Sequence, residues 1–259
     1  MNNLSDMIWI ELRKVLRSKL PLFTILGSLV MPLGIAFLIF LAKNPTLSQR
    51  LGLIGAKANL MNYSATTWQT YFTLSGEVIA AGGFFLFTLA ISWVFGREFV
   101  DGTLKDMLAV PISRFTILLA KFIVVFLWST VLTLVTLFVS LLMGIIINLP
   151  QASFSVIFQG SGLVAITACL VIAIVLPFAL FASVGRGYLL PVGVAILSLI
   201  LANMVMVLGL GEYFPWAIPA LYAQAKSALA PVSYVIIVIT GLVGIAVTYV
   251  WWKYADQSR

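Results

Sequence analysis

The chain contains no histidine, and its single cysteine, Cys169, lies within an apolar run. Those two absences exclude disulfides, thiolate zinc sites and histidine-based acid–base chemistry together. Charge is scarce as well: charged residues make up 9% of the 259 positions, against 62% hydrophobic, and mean hydropathy is +1.14. A soluble domain of this size cannot hide so much apolar surface, so a bilayer must solvate part of it. No Gly-x-Ser-x-Gly, no His-Glu-x-x-His and no Glu-Glu pair within a span occurs, which argues against an intramembrane hydrolase. No Gly-Lys dipeptide occurs either, so a Walker A phosphate loop is missing. The chain offers no catalytic residue, no metal ligand set and no cofactor site, and whatever energy it uses is borrowed from a partner.

What is present is a series of long uncharged blocks, 20–42, 78–96, 122–185, 187–211 and 227–252. About 20 residues at about 1.5 Å rise cross about 30 Å of hydrocarbon, so four blocks fit one pass each. Block 122–185 must fold back, with a break at Asn148-Leu149-Pro150-Gln151 and a polar turn closed by Gln159-Gly160-Ser161-Gly162. The expectation is an all-α polytopic membrane protein of one transmembrane domain. Its spans fall at about 20–42, 77–96, 122–147, 161–184, 188–210 and 231–252. The run from Leu20 to Ala42 has no small-residue cleavage pattern after it and reads as a retained span rather than a signal peptide.

Six spans put both termini on one side. Eleven of the fifteen Lys and Arg residues fall on that side and four on the other, which makes the terminal side cytoplasmic. The net charge of +7 therefore reads as topology, not as nucleic-acid binding. Residues 4–19 place Leu4, Ile8, Leu12, Val15 and Leu16 on one stripe, with Asp6, Arg13, Lys14 and Arg17 largely away from it. This pattern suits an amphipathic helix on the inner interface, or a cytosolic extension of the first span. The outer loop 43–76 offers Tyr63, Trp68, Tyr71 and Phe72 to an interfacial belt, and 211–231 is apolar enough to dip into the outer interface as short broken helices.

Seven charged residues cluster between Arg97 and Lys121. Glu98 to Val110 can run as a short helix, Pro111 stops it, and Ser113 is placed to cap the next span. The bland reading of this stretch is an inner loop with solvated charges. Its order, Glu98-Phe-Val-Asp101-Gly102-Thr103, a Leu-rich turn, Pro111, then Ser113-Arg114 and a third span, resembles the signature of ABC-2 type permeases. The resemblance extends over the chain: an amphipathic first helix, a large first outer loop, six spans, and a Pro-rich segment before the last. Within the family, the small permeases of bacitracin and lantibiotic self-protection are the most similar.

The resemblance implies two permease chains, identical or paralogous, paired with a separate cytoplasmic ABC ATPase that binds ATP and magnesium. It also implies a coupling segment, 97–117, seated in a groove of that ATPase. Arg97, Glu98, Asp101, Gly102, Thr103, Pro111, Ser113 and Arg114 are its candidate residues. Gly102 would allow close backbone approach there, and Arg97 and Glu98 would pair with nearby charges. Glu77 and Asn203 are candidates for lining a translocation path, and Asn203 is expected either to pair across helices or to line that path. Pro32, Pro177 and Pro191 are candidate kinks, and Gly82-Gly83 suits tight packing.

The reading is thus the permease of an ATP-driven exporter of an amphipathic or apolar compound, in a bacterial cell membrane. Sodium export lies within the same family. A non-transporting adaptor or sensor that recruits a cytoplasmic partner through its inner loop is the alternative. The sequon Asn62-Tyr63-Ser64 reads as chance.

Overall fold

The computed structural model describes residues 3–44, 66–109, 111–224 and 229–254. Helix α1, Asn3–Leu16, leads into α2, Leu20–Lys43. Between them Ser18 accepts the Leu20 N–H at 3.1 Å and donates to the Val15 carbonyl at 2.7 Å, so the chain turns without orphaning those groups. Pro21 enters in the first turn, where its missing N–H costs nothing, while Pro32 lies inside a helix that continues past it.

The helical segment that contains the expected second span, 77–96, is longer than that span and reaches from Trp68 to Val100. It starts as α3, Trp68–Val78, capped by the Thr67 side chain, passes through a π-helical turn, Ile79–Gly83, and continues as α4, Phe84–Val100. Trp68, Tyr71 and Phe72 are buried in the protein core, not spread along an interfacial belt. Gly82 falls in the π turn, where a Cβ would sit 2.6 Å from Cε at the end of the flexible Met31 side chain on α2. Tyr63 and the Asn62 sequon lie outside the described residues, as do Arg50, Lys57, Lys226 and Arg259 of the charge count.

Helix α5, Leu104–Ala109, is the short element between spans. The third span, α6, runs Arg114–Ile146 and begins where Ser113 accepts the Thr116 N–H, eight residues before the expected start at 122. The chain then turns at Asn148 and Gln151, both in the left-handed region at φ 48° and 63°. The fourth span is α7, Phe154–Val175, broken at Pro177 and resumed as α8, Phe178–Val184. Gln159-Gly160-Ser161-Gly162 is not a turn. These residues are helical within α7, and Gly160 is small because the Phe72 ring lies where its Cβ would be.

The fifth span, α9, runs Leu189–Val207 and has Pro191 in its first turn, where it starts the helix rather than kinking it. A 3-10 turn, Gly211–Tyr213, and α10, Ile218–Gln224, precede the sixth span, α11, Pro231–Tyr254. Among the described residues six helical segments are therefore long and apolar enough to cross a membrane. The most buried of them is the second, with Phe84 and Phe178 edge-to-face at 5.5 Å at its contact with α8.

Candidate functional site

Four charges converge where α1, the end of α4 and the start of α6 meet. Met7, Glu11 and Val15 follow each other at four-residue spacing on the buried face of α1, so a carboxylate occupies a core position. Lys121, one turn and more inside α6, is fully enclosed. Its Nζ donates to Glu98 Oε1 at 2.8 Å, to Glu11 Oε2 at 3.1 Å and to the Val94 carbonyl at 2.8 Å. All three ammonium protons are thereby used. Lys14 donates to Glu11 Oε1 at 2.7 Å and to Glu98 Oε1 at 3.1 Å.

Two lysines thus balance two carboxylates, the condition under which buried charge is tolerated. Burial pulls the Lys14 ammonium toward deprotonation, but Glu11 and Glu98 outweigh it and hold its pKa above the ordinary lysine range. Glu98 keeps one loose end. Its Oε2 is enclosed and has no hydrogen-bond partner among the described residues, an arrangement that costs about 1–3 kcal/mol or more for a charged acceptor.

The rest of the charge-rich segment is arranged around that root. Helix α4 runs through Glu98 to Val100, so the short helix expected from Glu98 to Val110 is instead two elements separated by a turn at Asp101–Thr103. Gly102 makes the break at φ 69°. A Cβ there would meet nothing within 4 Å, so glycine is needed for its backbone conformation and not for close approach within this chain. Arg97 pairs with Asp101 at 2.9 Å, stacks over Trp93 with Cζ at 4.8 Å from the ring centre, and donates to the Lys14 carbonyl at 3.4 Å. Thr103 is exposed, and its carbonyl accepts the Met107 N–H at 3.1 Å.

Pro111 and Ser113 are also exposed beyond α5, and Arg114 reaches the last span. The Arg114 guanidinium donates to the Trp252 and Lys253 carbonyls at the end of α11.

Glu77 and Asn203 stand apart from this cluster. Glu77 is half-buried on α3. Asn203 faces outward on α9 and donates to the Leu199 carbonyl of its own helix at 2.8 Å, and the pairing across helices, one of its two expected roles, is not made. A four-residue back-bond gives one N–H of the amide a local acceptor. Glu11, Lys14 and Lys121 went unrecognised as a site in the sequence, where the two lysines served only to mark the basic side. A lysine at the edge of an apolar run and a Glu–Lys pair three apart were the available signals.

A bundle of six long apolar helices, with a charge-rich segment rooted in buried ion pairs between the second and third, defines a multi-pass membrane protein. Residues 7–203 match the model of the ABC-2 family transporter proteins, and the chain belongs to that family. The matched stretch contains all four cluster charges and ends within α9. Over 180 residues the chain is 27% identical to "Bacitracin transport permease protein BCRB" of Bacillus licheniformis, covering 66% of this chain and 84% of that one. The chain is a transporter permease subunit rather than an enzyme.

Proposed function

We propose that this chain is the membrane half of an ATP-driven exporter in a bacterial cell membrane, with both termini cytoplasmic. A separate cytoplasmic ABC ATPase binds ATP and magnesium and pushes on segment 97–117. A second permease chain, identical or paralogous, completes the translocation path. The cargo is an amphipathic or apolar compound of the peptide-antibiotic kind, a reading supported by the bacitracin transport named for the relative. No comparison and no feature of the fold supports sodium as cargo.

The observation that carries the proposal is the way the segment is mounted. Gly102 and Thr103 in the turn, and Lys105 and Asp106 on the short helix α5, are exposed. The segment's root at Glu98 is tied by buried ion pairs to α1 and α6. Force applied to α5 is therefore delivered into three helices at once rather than dissipated in a loop.

Affinity capture of the tagged chain from detergent-solubilised native membranes, read by mass spectrometry, tests the reading. A stoichiometric ABC ATPase is expected, lost when Gly102 and Thr103 are replaced by bulky residues while the variant still elutes as a folded particle. Recovery of the wild-type chain without an ATPase under gentle conditions would favour the adaptor.

A further inference from the structure

A pocket of about 260 Å³ opens between the start of α3, the first turns of α7 and the end of α10. It lies at the opposite end of the bundle from segment 97–117, because the helical segment from Trp68 to Val100 runs the length of a span between the two. Among the described residues no charged side chain lines it. Gln69 and Thr73 reach it from one face of α3 at four-residue spacing, Gln159 from α7 and Gln224 from the last position of α10. Val156 and Leu163 add an apolar wall. Glu77 is a turn further along α3 and is not on the lining.

The hydrogen-bonding capacity left on this lining is of both kinds. Gln69 and Gln224 make no side-chain hydrogen bond among the described residues. Gln159 Nε2 gives one N–H to Ser155 Oγ at 3.2 Å, and Thr73 Oγ1 donates to the Gln69 carbonyl at 3.2 Å. The three amides therefore each keep at least one N–H and a carbonyl, and Thr73 keeps its lone pairs.

An ion entering here would lose hydration without meeting a counter-charge, and a purely apolar molecule would desolvate three amides with no hydrogen bond in return. A sugar would stack on an open ring face, but Phe72, whose ring is the one on the lining among the described residues, is 1% exposed. The group that answers an amide's adjacent N–H and C=O is another amide, which carries the same two groups in reverse order. We propose that this pocket binds an uncharged peptide amide with a short apolar side chain. Gln69, Gln159 and Gln224 hydrogen-bond the amide groups while the side chain covers Val156 and Leu163. The volume is just under the usual range for drug-sized ligands, about 300–1,000 Å³, so the pocket holds a fragment of a peptide rather than a whole one. That the fragment belongs to transported cargo rests on the exporter reading above; the binding itself does not.

The test is ligand-observed saturation-transfer NMR of the full chain in phosphatidylcholine nanodiscs, with empty discs subtracted. The probe is N-acetyl-leucinamide. N-acetyl-leucinate and protonated leucinamide carry the same side chain with a negative and a positive charge, and methyl glucoside offers hydroxyls in place of amides. Saturable binding of N-acetyl-leucinamide is expected, with each of the other three at least about fivefold weaker, the worth of one hydrogen bond. Combining Gln69→Met with Gln224→Met, both at exposed positions, should weaken it by at least as much with an unchanged thermal midpoint. Gln224→Glu, which keeps the size and adds a charge, should move the preference toward protonated leucinamide.

No saturable binding, equal binding of either charged analogue or of methyl glucoside, or a double variant that binds as the parent does would overturn the proposal. A Gln224→Glu protein that still prefers the neutral probe would do the same. Since the titration uses the chain alone, absent binding with the ATPase still captured sinks only the pocket. Binding with no ATPase captured sinks only the exporter reading.

Discussion

Replacing Lys121 by Met keeps a long apolar stem and removes the ammonium at the centre of the charge cluster. Glu11 and Glu98, both almost fully enclosed, then share Lys14 alone, and the Val94 carbonyl loses its side-chain donor. Breaking a buried ion pair by removing one partner costs about 3–5 kcal/mol, because the charge left behind stays in a low-dielectric site. At about 2–4 °C per kcal/mol for a chain of this length, the thermal midpoint should fall by roughly 10 °C. Size-exclusion chromatography of the heated, detergent-solubilised protein measures it.

The double variant with Glu98→Gln is the sharper comparison, since it leaves Glu11 and Lys14 as a balanced pair. It should be less destabilised than the two single changes added together, by about 0.5–3 kcal/mol of coupling. Strict additivity, or a Lys121→Met protein within about 0.5 kcal/mol of the parent, would refute the idea that these charges act as one unit.

The pKa of Lys14 is raised in the folded protein above the ordinary value of 10.5. Its stabilising contribution is therefore complete below that value and is lost as pH rises through the higher folded one. The difference in midpoint between the parent and Lys14→Met should stay constant through neutral pH and shrink only above about pH 10.5, as thermal unfolding across alkaline buffers will show. Gly160→Leu should abolish the folded particle by driving a side chain into the Phe72 ring, and Phe72→Ala should restore part of it at the cost of a cavity. Gly102→Val should cost about 1–3 kcal/mol at a left-handed position while Gly102→Asn costs less, a ranking that steric crowding cannot produce because the site is open.

Much of this site was visible as letters but not as a constellation. Arg97, Glu98, Gly102 and Ser113 stand out in the sequence because charge and glycine are rare there. The Ser113 cap follows from its place before an apolar run, and the structure makes it. Glu98 was legible as a charged residue at the end of a span, but its partners lie 23 and 84 positions away. No local periodicity brings Lys14 and Lys121 to the same carboxylate. Asn203 misled for the complementary reason: a polar residue in an apolar span suggested a partner on another helix, when its own helix supplied the acceptor.

The number of apolar passes and the position of the charge-rich segment between the second and third were determined by the sequence alone. Hydrocarbon admits long uncharged stretches almost without regard to what surrounds them, so composition along the chain suffices. Where the helices that carry those passes begin and end, and which of the rare charges are buried, were decided only by the tertiary structure. The helical segment of the second pass reaches out to Trp68 and that of the third takes in Lys121, where neighbouring helices offer rings and carboxylates to pack and pair with. Whether a charged or aromatic residue lies in lipid, water or protein depends on its neighbours in space, which one residue's identity does not specify.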